Sequence, residues 1–558
     1  MSGRHLKIAL AQMNAHLGHV SANLDKVLDA RARAAQMGAD IIATPEMFLS
    51  GYPADDLVLR ADFMERIETA LATLAKATED GGPAIIVGAP FRDGSVLRNS
   101  VFIFDAGKEI ARRDKVELPN YGVFDDKRHF VPGDLPGPVN LRGVRVGIPI
   151  CEDIWTTDVC ETLTETGAEI LLSINASPFE GHKVDSRMTH AVARLTENQR
   201  PFIYLNMVGG QDELIFDGNS FALNLGGGLA SQLPGFKESL TIIEATETGQ
   251  VFHLTGQISK PVAADESLYQ ALMLGIRDYV EKNGFPSVIL GLSGGIDSAL
   301  VAVLAVDALG ADRVRCVMMP SGYTADISKS DAATLAGNLA IRHQSVPIGE
   351  AMQLIETSLA SDFAGTELGI AEENIQSRLR GLLLMALSNK SGPMVLATGN
   401  KSEYAVGYAT LYGDMCGGFA PIKDVWKTKV FDLCNWRNTH LPRGGLGPDG
   451  EVIPTRIITR PPSAELRADQ EDTDSLPPYD VLDPILIALT EEMADIETIV
   501  ARGYDRELVE RASLLLFRAE YKRFQAAPGP KITPRAFGRD RRLPLTSGFR
   551  PDDVMPAR

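Results

Sequence analysis

The sequence predicts an α/β protein built from two successive units, and three observations carry that prediction. A chain of 558 residues is longer than one hydrophobic core ordinarily serves. Across residues 1–225, short runs rich in Ile and Val alternate with stretches of helical apolar spacing. From Glu266 a second alternation begins, around an all-apolar run that ends in a glycine turn.

In order along the chain, residues 7–13 alternate apolar and polar side chains and read as a strand, after which Ser21 is placed to cap a helix carrying Leu24, Val27, Leu28 and Ala35. Further strands are expected at 41–43, 84–88, 101–104, 144–150, 170–174 and 202–207, each bounded by Gly, Pro or Asn. Gly226, Gly227 and Gly228, with the weakly patterned stretch up to Ala264, read as a boundary and connecting segment. Leu268, Leu272, Ile276 and Val280 then give a helix before a buried-type strand at 287–292. That strand runs into Ser293-Gly294-Gly295-Ile296-Asp297-Ser298, a helix at 299–309 and a strand at 315–319, which together make a βαβ unit. Another strand at 394–397 ends in Thr398-Gly399-Asn400. Residues 441–480 form a long loop dense in Pro, Gly and acids, where Asp472 and Asp474 read as the solvated face of a lid, with a charged latch as the alternative. The expected division is 1–255 for the first unit, 256–265 for a linker and 266–558 for the second.

Composition narrows the function classes. With 44% apolar and 23% charged residues the chain is globular, and its longest apolar run, 299–306, stops at Asp307, far short of a membrane span. The first residues lack an apolar segment followed by a small-residue cleavage site, so a cytoplasmic location is expected. A formal charge of −18 disfavours broad attraction to a nucleic-acid backbone. The expected partners are therefore small molecules, with neither nucleic acid nor membrane. Five cysteines, odd in number and without C-x-x-C spacing, suggest no disulfide framework and no structural zinc.

The turn after Leu292 carries the clearest chemistry. Two glycines flanked by serines let successive backbone N–H groups converge on an anion at the positive end of the following helix. No Walker A pattern and no dinucleotide Gly-x-Gly-x-x-Gly occurs there. Asp297 places a carboxylate where phosphates would repel it, which makes sense if Mg²⁺ bridges the two. A plain strand-to-helix turn capped by Ser293 or Ser298 is the bland alternative.

The hexapeptide resembles the pyrophosphate loop of ATP pyrophosphatases. With Glu373-Asn374-Ile375-Gln376-Ser377-Arg378, Thr398-Gly399-Asn400-Lys401-Ser402-Glu403 and Pro462-Ser463-Ala464-Glu465-Leu466, the second half resembles the NAD synthetases over nearly its whole length. The resemblance implies a doubly wound parallel sheet of the adenine nucleotide alpha hydrolase type. It implies ATP as co-substrate at Gly291, Leu292, Ser293, Gly294, Gly295, Ile296, Asp297, Ser298, Thr398, Lys427 and Ser463. It further implies Mg²⁺ on Asp297 and Glu403, and deamido-NAD at Asn374, Arg378, Glu403 and Lys522. The family's ammonia-using members carry a lysine before Tyr-Gly-Asp, whereas this chain has Leu411 before Tyr412-Gly413-Asp414. Thiolating enzymes acting on tRNA share the loop, but the acidic charge and the missing paired cysteines argue against RNA.

In the first half, Cys151 lies at the exit of the strand expected at 144–150, and Glu46 and Lys115 lie just beyond other strand-like segments. A thiol reacts as its thiolate; a nearby ammonium lowers its pKa, and a carboxylate can take the thiol proton and return it to a leaving amine. A buried inert cysteine with surface ions at Glu46 and Lys115 is one alternative, and a Cys–His pair with His129, His182 or His190 is another. Pro45-Glu46, Lys115 followed by Leu118-Pro119-Asn120-Tyr121-Gly122-Val123-Phe124, and Cys151-Glu152-Asp153-Ile154-Trp155 resemble the nitrilase superfamily, and within it the glutaminase branch. That resemblance implies an α-β-β-α sandwich, Glu46 as general base, Lys115 at the oxyanion, Cys151 as nucleophile, and Tyr121, Ser177 and Lys183 holding glutamine.

Together the two resemblances imply a synthetase fed by ammonia from its own glutaminase, giving NAD, AMP, pyrophosphate and glutamate. Enzymes of this resemblance are homo-oligomers, often octamers, which implies self-assembly here. A hydrolase for another amide beside a synthetase using free ammonia is the competing arrangement.

Overall fold

The computed structural model describes residues 3–181, 183–467 and 470–549, with the Lys183 side chain excepted. The chain forms two compact units, Met1–Ala263 and Ala264–Arg558.

The first unit has two large sheets and a small antiparallel pair, Val208–Gln211 with Leu214–Asp217. One has seven strands in the order Val251–Thr255, Ser239–Thr248, His5–Gln12, Ile41–Ala43, Ala84–Asp93, Val96–Asp105 and Lys108–Asp114. The other has six, in the order Leu229–Gln232, Phe221–Leu223, Phe202–Asn206, Ile170–Asn175, Val144–Gly147 and Val139–Leu141. The two-residue side-chain period explains the layering. Leu6, Ile8 and Leu10 share one buried cluster with Val144, Val146, Ile170, Leu172 and Ile203, so the sheets pack face to face. Ala9, Ala11 and Ile85 point the other way, into a cluster with Val27 and Ala30 of helix Val20–Gln36 and Ile67 of helix Ala61–Ala77. Leu171 and Phe202 likewise meet Val159 and Leu163 of helix Asp158–Glu165 and Leu195 of helix Lys183–Asn198. The layers are α-β-β-α, as expected.

Several local readings change. The first helix begins at Val20, and its cap is His19, whose ring accepts from the Ala22 N–H at 3.3 Å, so Ser21 lies inside the helix. The stretch after Gly228 is no mere connector, because Ser239–Thr248 pairs antiparallel with the whole of His5–Gln12. The strand before Cys151 ends at Gly147, leaving one isolated bridge, Ile150 to Ile174.

The second unit holds a four-stranded, all-parallel sheet in the order Arg342–Ser345, Val314–Met318, Val288–Gly291 and Met394–Val395. The first strand in sequence thus lies between the second and the fourth. Connections leave its two sides in opposite directions, which opens a crevice beyond the carboxyl ends of Val288–Gly291 and Met394–Val395. Helix Ile370–Ser391 covers one face through Leu384 against Ile289, Val317 and Val395. Helix Ile296–Leu309 packs on the same strands and starts three residues earlier than its apolar run, so Asp297 lies in its first turn. Within 441–480 the chain forms a short helix, Thr455–Thr459, and a turn, Asp472–Asp474.

Candidate active sites

In the first unit the structure brings Glu46, Lys115 and Cys151 together in one buried cluster. Lys115 Nζ donates to Glu46 Oε1 at 2.7 Å and to Asp126 Oδ2 at 3.0 Å, and all three side chains are at most 5% exposed. Glu46 also accepts from Asn99 Nδ2 at 2.8 Å and from the Ala176 N–H at 2.9 Å, which fixes the orientation of its carboxylate. Tyr52 closes the network by donating to Asp126 Oδ1 at 2.9 Å. Burial works against charge on Lys115, but Asp126, Glu46 and Cys151 outweigh it and hold the ammonium protonated well above its ordinary range.

Cys151 opens a single helical turn, Cys151–Ile154, with its own backbone in the left-handed region at φ 48°. Such a conformation is costly for a side-chain-bearing residue and persists only where surrounding contacts enforce it. One such contact comes from Asp153, which accepts from the N–H groups of Ile150 at 2.9 Å, Glu117 at 2.8 Å and Val116 at 3.0 Å. The same carboxylate therefore ties the thiol turn to the segment following Lys115. Burial, then Glu46, push the Cys151 thiol well above its usual range, and Lys115 opposes this without prevailing. A thiol held up in this way calls for a base, and Glu46, the expected general base, is the carboxylate whose charge bears most on it.

Tyr121 is half exposed and donates to Glu152 Oε1 at 2.7 Å, next to the thiol turn. Ser177 is buried, its hydroxyl accepting from Arg187 Nε at 3.0 Å while Arg187 also pairs with Asp217 at 2.7 Å. The Lys183 side chain and His182 lie outside the described residues. The Cys–His alternative gains no support from the other two histidines. His129 bonds Asp56 at 2.8 Å, and the His190 ring lies 4.0 Å from that of Trp155.

The second unit contains a cavity of about 650 Å³ at the carboxyl ends of its strands. Every residue from Gly291 to Ser298 lines it, as do Thr398, Lys427, Ser463, Asn374, Glu403 and Lys522. Gly294 has φ +86°, and a Cβ there would lie 2.4 Å from the Ser328 carbonyl oxygen, so only glycine fits. Ser293 Oγ and Ser298 Oγ lie 3.1 Å apart, and Gly295 N–H donates to Ser293 Oγ at 3.2 Å, closing the loop on itself. Arg378 is exposed, donating to the Leu411 carbonyl at 3.2 Å, and is not part of the lining, whereas Arg380 is. Leu411 itself packs against an apolar cluster around Tyr404 and Met415.

Asn400 caps helix Lys401–Val406 in a reciprocal box with Glu403, and its Nδ2 donates to Asp297 Oδ1 at 2.8 Å. Lys427 Nζ bonds Asp297 Oδ2 and lies 3.4 Å from Glu403 Oε1. Burial, followed by Asp297, pushes the Glu403 carboxyl up, with Lys427 opposing. Asp472 is buried and adds its charge to this group, while Tyr479 OH donates to it at 3.0 Å. This corrects its reading as a solvated face; only Asp474, bonded to Arg467 at 2.7 Å, is exposed. No group of three or more His, Cys, Asp or Glu is placed to hold a metal among the described residues. Asp297 and Glu403 are two carboxylates sharing one ammonium, a donor set that fits Mg²⁺ when substrate phosphates supply other ligands.

Sequence reasoning missed Asn99, Asp126, Asp153 and the Arg187–Asp217 pair. Asp153 stood within the Cys-Glu-Asp run and Asn400 within an Asn-x-x-Glu capping signature, both readable signals. The others had none.

A buried thiol–carboxylate–ammonium cluster on an α-β-β-α sandwich and a glycine-turn cavity on a parallel sheet are what an enzyme joining an amide-hydrolysing unit to a nucleotide-using one would carry. The carbon–nitrogen hydrolase family model matches residues 7–250, and the NAD synthase family model matches 268–526. The chain is 48% identical to the glutamine-dependent NAD(+) synthetase of Rhodobacter capsulatus over 98% of this chain and 99% of that one. It is 44% identical to that of Acinetobacter baylyi over 99% and 100% of the two chains. The solved glutamine-dependent NAD+ synthetase of Acinetobacter baumannii in complex with ADP is similar with a TM-score of 0.78 and 41% identity, covering 99% of this chain and 100% of that one. The chain belongs to the glutamine-dependent NAD(+) synthetase family and is an enzyme. No helix among the described residues is long and apolar enough to cross a membrane.

Proposed function

We propose that residues 1–255 hydrolyse glutamine and residues 266–558 use the ammonia to amidate deamido-NAD. In the first reaction Glu46 takes the Cys151 thiol proton as the sulfur attacks the side-chain amide carbon. Lys115 and neighbouring donors stabilise the oxyanion, the proton passes to the departing nitrogen, and ammonia leaves a thioester that water converts to glutamate. Tyr121, Ser177 and Lys183 hold the glutamine.

In the second reaction the nicotinate carboxylate attacks the α-phosphate of ATP, pyrophosphate leaves, and ammonia then displaces AMP from the adenylate to give NAD. The Gly291–Ser298 loop, Thr398, Lys427 and Ser463 hold ATP, and Asn374, Arg378, Glu403 and Lys522 hold the dinucleotide. Asp297 and Glu403 would hold Mg²⁺, which supplies charge neutralisation at the phosphates. The ADP complex of the Acinetobacter baumannii relative supports a nucleotide in this cavity. Ammonia is mostly protonated at neutral pH, and only its neutral form attacks an adenylate, so transfer within the protein avoids that loss. The enzyme works in the cytoplasm as a homo-oligomer, with the octamer as the proposed form.

The observation that carries this reading is that one chain holds both the buried Glu46–Lys115 pair beside Cys151 and the Asp297–Lys427 cavity. Cys151→Ala tests it. Glutamine-driven NAD formation should be lost and ammonium-driven formation kept; loss of both, or survival of the glutamine reaction, overturns the assignment.

A further inference from the structure

The Asp297–Lys427 pair has a counterpart deeper in the same unit. Asp297 lies in the first turn of helix Ile296–Leu309, and Lys427 opens helix Lys427–Thr439. Ten residues further along each helix, Asp307 meets Arg437, both at 0% exposure. Arg437 Nε donates to Asp307 Oδ2 at 2.7 Å, and Nη2 donates to Oδ1 at 3.0 Å. Tyr269 of helix Ala264–Lys282 donates its hydroxyl to Asp307 Oδ2 at 2.6 Å. A Cβ on Gly447 would lie 2.2 Å from Asp307 Oδ1, so the chain closes tightly over the pair. The two helices thus run in one direction and are braced by an acid–base pair at each end, about 15 Å apart at 1.5 Å per residue.

A buried ion pair is not in itself more stabilising than apolar residues of similar volume. What it adds is direction: an apolar helix contact tolerates sliding, while a two-bond guanidinium–carboxylate fork does not. We propose that Asp307 and Arg437, with Tyr269, are positioning residues that set the register of these two helices, so that Lys427 faces Asp297 in the nucleotide cavity. The proposal rests on the assignment of Asp297 and Lys427 to ATP. A slip of one residue would carry Lys427 about 1.5 Å along its axis, and a misplacement of about 1 Å can cost about 10²-fold in rate.

The test uses the full-length variant Asp307→Leu/Arg437→Met, with Tyr269→Phe so that no buried hydroxyl is left without its acceptor; it keeps volume and removes direction. The expected result is a melting temperature near that of the parent. Alongside it, kcat/KM for ATP in the ammonium-driven reaction should fall at least about fivefold per folded enzyme, with glutaminase activity unchanged. A smaller fall, or one that merely tracks the folded fraction, overturns the proposal. If this combined variant fails to fold, Arg437→Lys, which keeps the charge but not the fork, is read against the same threshold. Lys427→Gln runs in parallel. If it leaves ATP kinetics unchanged, the site assignment itself fails and takes the proposal with it. If it abolishes ATP use while the combined variant does not, only the positioning inference falls.

Discussion

Replacing Gly88 by Ala reaches the glutaminase centre without touching any reacting group. Strand Ala84–Asp93 runs beside Ile41–Ala43, and the chain emerging from the latter carries Glu46 back across it. The Gly88 carbonyl accepts the Leu49 N–H at 3.2 Å, so the two backbones are in contact there. A Cβ at position 88 would lie 2.4 Å from Met47 N, 2.7 Å from the Pro45 carbonyl oxygen and 2.8 Å from Glu46 C. Ordinary contact begins at 3.4 Å, so the backbone bearing Glu46 must retreat by about 1 Å, and its neighbours are main-chain atoms that cannot swing aside. That retreat would carry bonds of 2.7–2.9 Å to Lys115, Asn99 and Ala176 beyond hydrogen-bonding reach. Overpacking of this kind costs about 1–3 kcal/mol, and a displacement near 1 Å at a reacting group costs about 10²-fold. Glutamine-driven NAD formation should therefore fall about 10²-fold, with a lower melting temperature, while ammonium-driven formation stays near the parent. Paired rates with the two nitrogen sources on one preparation decide it. A glutamine rate within threefold of the parent, or an equal loss of both rates, would refute the reasoning.

Asp153→Ala should destabilise the first unit by at least about 2 kcal/mol in urea unfolding, because one buried and two part-buried N–H groups lose their acceptor at up to about 1–3 kcal/mol each. A change below about 1 kcal/mol would mean that these donors find other partners. Since burial raises the Cys151 thiol, the thiolate is the minor form at neutral pH and grows as pH rises. Alkylation of Cys151 by iodoacetamide should accelerate roughly tenfold per pH unit past pH 8 without levelling, and a plateau near pH 7 would contradict the raised value. Gly294→Ala puts a Cβ 2.4 Å from the Ser328 carbonyl oxygen on a left-handed backbone. It should lower kcat/KM for ATP at least about tenfold and spare glutaminase activity; unaltered ATP kinetics would show that the loop is not the phosphate site.

Where local pattern and final environment coincided, the sequence was sufficient. Ile41–Ala43 and the start of Ile170–Asn175 are apolar on both faces because they lie inside a layered sandwich, and Val288–Gly291 because helices cover its sheet. The glycine turn at Ser293–Ser298 was legible because its shape is set by contiguous backbone. Ser239–Thr248 was not legible: its side chains are mostly half exposed, and it becomes a strand by pairing with residues at the other end of the same unit. The same limit applies to the sites. Motifs could name Glu46, Lys115 and Cys151, but that Asp126 shares the Lys115 ammonium, that Cys151 is buried beside these charges, and that Asp307 meets Arg437 are facts of tertiary structure. Periodicity reports how each segment divides between core and solvent. A buried charge and its partner come from segments far apart in the chain, and only the folded packing decides which of them meet.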